Sequence, residues 1–200
     1  MSFLIAKEAP NFIEKAIMGN NDIKLNFNLK EYLNGSKGIL FFYPLNFSFV
    51  CPSEIIAFDK KLTDFKKRNT KIVGISIDSH FSHLQYKRIN IKDGGIGNIK
   101  FPLVSDLSKN ISRNYDVLLN QEISLRGTFL IDEDFLIRHQ SVNDLPLGRN
   151  INEIIRIIDA LDFYNNNNNV CPANWNKGDP AIIPSNKGIK NYLNSLYKNK

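Results

Sequence analysis

Apolar residues in this chain follow two rhythms. Gly38-Ile39-Leu40-Phe41-Phe42-Tyr43 is an unbroken run halted by Pro44, which predicts a buried strand. Lys71 to Ile77 predicts a second. Between them Ile55, Phe58, Leu62 and Phe65 recur at helical spacing, with Lys and Asp among them. Asp78-Ser79 can cap the next helix, through about Arg88. Gly94-Gly95-Ile96-Gly97 is a loop, Phe101 to Val104 a strand, and Ser108 to Asn114 a helix. Gly127 to Asp132 and Phe135 to Gln140 flank Glu133-Asp134 as a hairpin. Asn150 can cap a helix whose apolar side is Ile151, Ile154, Ile155, Ile158 and Leu161. Three strand–helix pairs, a hairpin and a helix make an α/β fold with a mixed central sheet flanked by helices.

The tract Asn165 to Asn169 supplies no core and predicts a flexible boundary. The expected organisation is a domain over 1–164 and a C-terminal arm over 165–200. The arm carries Cys171, a Gly/Pro-rich stretch and an amphipathic segment from Gly188 to Tyr197.

Composition narrows the function. At 200 residues, 42% hydrophobic and 23% charged, the chain has the make-up of a globular protein with one sizeable core. A net charge of +6 raises nucleic-acid binding. The basic residues are scattered, with small clusters at Lys66-Lys67-Arg68 and at Lys198 and Lys200, and no nucleic-acid motif accompanies them. A solvated basic surface accounts for the charge. No apolar run approaches the ~20 residues of a spanning helix. The first residues lack the basic start and long apolar stretch of a signal peptide. The expectation is a cytoplasmic protein without membrane or nucleic-acid partners, in which a lasting structural disulfide would be out of place.

The chain has two cysteines, each followed by proline. Cys51 follows a strand, a proline and a loop, and Pro52 suits the first turn of a helix. Unpaired N–H groups at a helix start favour a thiolate, the nucleophilic form. Ser48, three residues upstream, offers a hydroxyl to the sulfur or to a substrate oxygen. The competing reading is a small buried hydrophobe. There is no Cys-x-x-Cys for dithiol exchange. The two cysteines and His80, His83 and His139 lack zinc-site spacing. His83 is a conceivable partner for the thiol, but no protease signature supports it.

The stretch Pro44-x-x-x-Ser48-x-x-Cys51 resembles the active-site motif of peroxiredoxins. Phe42 to Glu54 is similar to the typical 2-Cys subgroup, which includes bacterial alkyl hydroperoxide reductase C components. The likeness continues through Ala9 to Phe12, Asp78 to Leu84, Phe101 to Asp106, Leu125 to Asp132 and Val170 to Trp175. It implies a thioredoxin-like fold and a thiol peroxidase that reduces hydrogen peroxide and organic hydroperoxides without cofactor or metal. By the resemblance, Cys51 is the peroxidatic thiol and Pro44 shields the pocket. Ser48 bonds peroxide and thiolate. Arg126 favours the thiolate, and Glu54 orients arginine. Cys171 of a partner chain is the resolving thiol. The implied donor is thioredoxin or a dedicated flavoprotein disulfide reductase, and the implied assembly is a homodimer that can close into a decamer.

Three residues depart from the family: Asn46 for Asp, Ser48 for the commoner Thr, and Tyr86 for Trp. Ser keeps the hydroxyl but loses a methyl that stiffens the rotamer, and Tyr86 bears on packing between dimers. Gly94 to Gly97 resembles a Gly-Gly-Leu-Gly loop, and Tyr192-Leu193 falls where relatives have Tyr-Phe. By the resemblance these pack over the active-site helix and slow its unwinding, which implies partial sensitivity to over-oxidation. Two rival roles are a chaperone-like holdase and a peroxide-driven redox relay.

Overall fold

The computed structural model describes residues 3–197, so Lys198 and Lys200 lie outside the described residues. The chain divides into two compact units, residues 1–151 and 152–200. The first unit opens with strands β1 (Ile13–Ile17) and β2 (Ile23–Asn28) and helix α1 (Leu29–Leu33). Strand β3 (Lys37–Phe42) leads to helices α2 (Cys51–Lys60) and α3 (Leu62–Lys66). Then come β4 (Thr70–Ser76), α4 (His80–Arg88), β5 (Leu103–Ser105) and α5 (Asn110–Asn114). A short ribbon, β6 (Leu118–Leu119) and β7 (Ile123–Ser124), precedes β8 (Arg126–Ile131) and β9 (Ile137–Asn143). Seven strands form one mixed sheet in the order β2-β1-β5-β4-β3-β8-β9. The pairs β3/β4 and β4/β5 are parallel, and the others are antiparallel. Among the described residues no helix is long and apolar enough to cross a membrane.

Strand β3 is buried along its whole length and serves both faces of the sheet. Leu40 and Phe42 join a core that includes Phe27, Val73, Val104, Tyr115 and Phe129. Their neighbour Phe41 points the other way. There it stacks on Phe58 of α2 with ring centroids 4.3 Å apart, and Phe101 meets it edge-on at 5.7 Å. This aromatic seam seats α2 on the sheet. It depends on Gly74 in β4: a Cβ there would lie 2.7 Å from Leu103 and 2.8 Å from Phe41.

The hairpin of β1 and β2 was not anticipated from the sequence. Its alternation is blurred, because Ile13, Ile23 and Leu25 face solvent while Ala16, Ile17 and Phe27 are buried. The expected cap of α4 is present, with the Ser79 side chain accepting from the Ser82 amide.

After β3 the loop is fixed by a buried polar network. His83 on α4 is fully buried, and its Nε2 lies 3.1 Å from the Val104 carbonyl. A carbonyl only accepts, so Nε2 carries the proton and Nδ1 is an acceptor. Asn46 Nδ2 donates to it at 3.1 Å and to Ser82 Oγ at 2.8 Å. Asn46 Oδ1 accepts from the Tyr43 hydroxyl at 2.9 Å, and the Asn46 amide donates to Asp78 at 2.9 Å. His83 is therefore spoken for and is no partner for a thiol. Burial pulls it down to about 4, against a weaker upward pull from Asp78.

The second unit contains most of helix α6 (Ile151–Asn167) and helix α7 (Asn186–Tyr197). Helix α6 runs into the asparagine tract as far as Asn167. The Asn166 and Asn167 side chains bond back to the Asp162 and Phe163 carbonyls. Asn168 closes the helix in the left-handed region (φ 54°), which asparagine tolerates. Val170 and Ile182 exchange backbone hydrogen bonds of 2.9 and 3.0 Å, closing a loop at its base. Trp175 plugs it, buried and packed on Phe163 at 5.0 Å, its indole N–H donating to the Asp179 carbonyl.

The depressed His83 value carries a definite sign. A histidine that is neutral in the fold adds its stability above its ordinary value of about 6.5, and that stability is lost as pH falls towards about 4. The urea midpoint of the wild type should therefore drop through this window. Asn46→Asp, which places a carboxylate against Nδ1, should flatten the drop. An unchanged slope would contradict the network.

Candidate active site

Cys51 is the first residue of α2, and Pro52 sits in its opening turn. The residue before the helix, Val50, supplies no side-chain cap. Pro52 has no N–H to satisfy, and the Ser53 and Glu54 amides donate to the Val50 carbonyl at 3.1 and 3.4 Å. The Cys51 side chain is fully buried. It is not an inert hydrophobe, because Arg126 Nη1 donates to its sulfur at 3.4 Å.

Arg126 opens β8, two strands' width from β4 across β3, and is itself buried. Its guanidinium is held at three points. Nη1 also donates to Glu54 Oε2 at 2.7 Å, and Nε donates to the Leu145 carbonyl at 2.7 Å. Glu54 lies one helical turn after Cys51 and is likewise buried. Its other oxygen accepts from the Arg149 backbone amide at 3.1 Å. The Arg149 side chain completes the cluster. Nη1 stands 3.4 Å from Glu54 Oε2, the guanidinium lies over the Phe41 ring, and Nη2 donates to the Phe42 carbonyl. Burial lowers Arg149 to about 10, aided by repulsion from Arg126 and opposed by Glu54 and Cys51.

Charge counting gives the chemical meaning. Two guanidinium groups and one carboxylate leave one positive charge unbalanced in a buried site. Arg126, donating to the Cys51 sulfur at 3.4 Å, is placed to stabilise negative charge that develops there.

A cavity of about 460 Å³ adjoins this cluster, lined by Pro44, Ser48, Phe49, Val50, Arg126, Leu145 and Pro146. Arg126 belongs to both, touching the sulfur and lining the cavity. The walls are otherwise largely apolar. Pro44 and Ser48 line the pocket as anticipated. The Ser48 hydroxyl, however, donates to the Leu45 carbonyl at 3.0 Å, not to the sulfur. Its proton becomes available to a substrate oxygen only when the hydroxyl rotates away from that carbonyl.

Arg149, Leu145 and Pro146 were not picked out from the sequence. The run Pro146-Leu147-Gly148-Arg149 reads as an ordinary entry to a helix. Only the fold shows that Leu145 and Arg149 flank the Arg126–Glu54 pair, one accepting from Arg126 and the other donating to Glu54. Cys171 lies in the second unit, half-buried, with its Sγ–H donating to the Ala160 carbonyl at 3.7 Å. Burial raises its thiol. Both cysteines are free. Among the described residues no group of three or more His, Cys, Asp or Glu side chains gathers to hold a metal ion.

A buried thiol held by arginine beside a small cavity is a site for thiolate chemistry. Residues 5–140 match the AhpC/TSA family, and residues 160–195 match the C-terminal domain of 1-Cys peroxiredoxin. The chain is 53% identical over 191 residues to the alkyl hydroperoxide reductase C of Buchnera aphidicola subsp. Acyrthosiphon pisum, covering 95% of this chain and 97% of that one. It is 46% identical to the mitochondrial thioredoxin-dependent peroxide reductase of Drosophila melanogaster, covering 94% and 81%. The reduced 2-Cys peroxiredoxin of Plasmodium vivax superposes with a TM-score of 0.93 at 44% identity, covering 96% of this chain and all of that one. The chain therefore belongs to the AhpC/TSA family and has its thioredoxin-like fold. It is a peroxiredoxin, a thiol-dependent peroxidase.

Arg126→Lys keeps the charge but cannot donate to Sγ, Glu54 and Leu145 at once. With the circular dichroism spectrum unchanged, the second-order rate of Cys51 oxidation by hydrogen peroxide should fall on the order of 100-fold. A rate equal to the wild type would show that the guanidinium geometry is dispensable.

Proposed function

We propose that Cys51 is the peroxidatic residue of this enzyme. The observation that carries the reading is the sharing of Arg126 between the Cys51 sulfur and the adjoining cavity. The Cys51 thiolate attacks the terminal oxygen of a hydroperoxide. The O–O bond breaks, the distal alkoxide or hydroxide leaves and takes a proton, and Cys51 becomes a sulfenic acid. Arg126 stabilises charge on both the sulfur and the departing oxygen. Glu54 and Arg149 fix Arg126, Pro44 walls the pocket, and Ser48 turns its hydroxyl to the bound peroxide. Hydrogen peroxide and organic hydroperoxides both fit a small cavity with an apolar rim.

Cys171 of a second copy of the chain then attacks the sulfenic sulfur and gives an intersubunit disulfide. Both thiols must leave their resting places first, because Cys51 is buried in the first turn of α2 and Cys171 is tied to Ala160. Strand β9 lies at the edge of the sheet, a place for a symmetric homodimer to form, which can assemble further into a decamer. A dithiol protein of the thioredoxin type, or a flavoprotein disulfide reductase, restores the thiols by exchange. The name of the Drosophila relative supports the first donor. A cytoplasmic setting supplies such donors.

Three proteins test the cycle: the wild type, Cys51→Ser and Cys171→Ser. After peroxide, non-reducing gels should show linked dimers for the wild type alone. Turnover with thioredoxin should be lost in both variants. Monomer only in the oxidised wild type would refute the two-chain step.

A further inference from the structure

Cys171 opens a turn fastened to one face of α6 at two points. Its sulfur donates to the Ala160 carbonyl at 3.7 Å. Four residues earlier on the same helix face, Arg156 Nη1 donates to the Trp175 carbonyl at 2.8 Å. The other edge of this guanidinium is fixed by Glu153, which accepts from Nε at 2.6 Å and from Nη2 at 2.7 Å. Arg156 is thus a bracket between the helix and the Cys-Pro turn.

The charged groups around the turn are Glu153, Arg156 and Asp159 on α6, and Lys177 and Asp179 in the loop itself. Lys177 stands 3.9 Å from Asp159. Asp179 accepts from the Asn176 amide at 2.8 Å. Burial holds the Cys171 thiol up, and Arg156 is the charge that opposes it.

We propose that Arg156 is a positioning residue for disulfide formation: its grip on Trp175 keeps a permanent positive charge beside Cys171, favouring the thiolate that attacks. This rests on the reading of Cys171 as the resolving thiol. In that step the Cys171 thiol gives up its proton, and the thiolate sulfur bonds to the Cys51 sulfenic sulfur. The S–O bond breaks, and hydroxide leaves and combines with the released proton as water. Cys171 is oxidised and the sulfenic sulfur is reduced. Arg156 acts on the first part, the supply of thiolate.

Trp175 is the chain's single tryptophan and reports on this loop by fluorescence. The test mixes reduced full-length protein with hydrogen peroxide across pH about 5 to 9, following the fluorescence and quantifying Cys51–Cys171 disulfide in acid-quenched samples by mass spectrometry. Arg156→Gln should shift the pH of half-maximal disulfide formation upward by about half a unit, a threefold loss of thiolate at a given pH. The peroxide-dependent first phase should not change. Arg156→Lys should restore the wild-type profile. Glu153→Gln, which uncovers the Arg156 charge, should shift it downward. An Arg156→Gln profile that coincides with the wild type overturns the inference. So does a uniform slowing at every pH that Arg156→Lys fails to repair, and so does an upward shift for Glu153→Gln. A wild type that forms no Cys51–Cys171 disulfide refutes the resolving role itself. A wild type that forms it, with no shift in the variants, refutes only the part given to Arg156. If Arg156→Gln does not fold, the Lys and Glu153 variants still decide between these results.

Discussion

Glu54 holds two guanidinium groups inside the protein, and the rest of the site depends on that arrangement. One of its oxygens takes Arg126 at 2.7 Å and the other takes the Arg149 backbone at 3.1 Å. A buried carboxylate with a single arginine would be neutral and chemically quiet. With two arginines it leaves a charge that only an anion at Cys51 completes. The arrangement is costly to desolvate, and the protein holds it together by tying every member to the backbone. Arg126 is pinned by Leu145, Arg149 by Phe42, and α2 by the Phe41–Phe58 stack. The stability of the sheet and the reactivity of the thiol thus share the strand β3.

The two cysteines are prepared differently. Cys51 is surrounded by fixed positive charge. Cys171 is tied as a thiol to the Ala160 carbonyl in a loop closed by Val170 and Ile182 and plugged by Trp175. In the proposed cycle the first thiol meets the oxidant and the second, with Arg156 beside its loop, forms the disulfide.

Much of this was legible in the residues. The run from Gly38 to Tyr43, the helical spacing after Cys51 and the hairpin around Glu133-Asp134 each declare themselves by periodicity. The N-terminal hairpin did not, since half of its apolar residues face water. In the asparagine tract, composition alone does not show that Asn166 and Asn167 bond back to the helix and that Asn168 ends it. At the site, Cys51 was singled out by its place at a helix start, and Arg126 and Glu54 by the family resemblance; the fold brings the three together. Arg149 was missed because its importance comes from Phe41 and Glu54, both far away in sequence. Ser48 was foreseen in place but not in its hydrogen bond, which a rotating hydroxyl chooses locally.

The central claim is that the arginine cluster makes Cys51, and not Cys171, the thiol that meets peroxide. The most direct measurement adds one equivalent of hydrogen peroxide to reduced Cys171→Ser protein with a sulfenic-acid trapping dione and maps the adduct by mass spectrometry. The account predicts a stoichiometric adduct on Cys51. The same experiment on Cys51→Ser should leave Cys171 unlabelled. An unlabelled Cys51 in the first protein, or rapid labelling of Cys171 in the second, would contradict it.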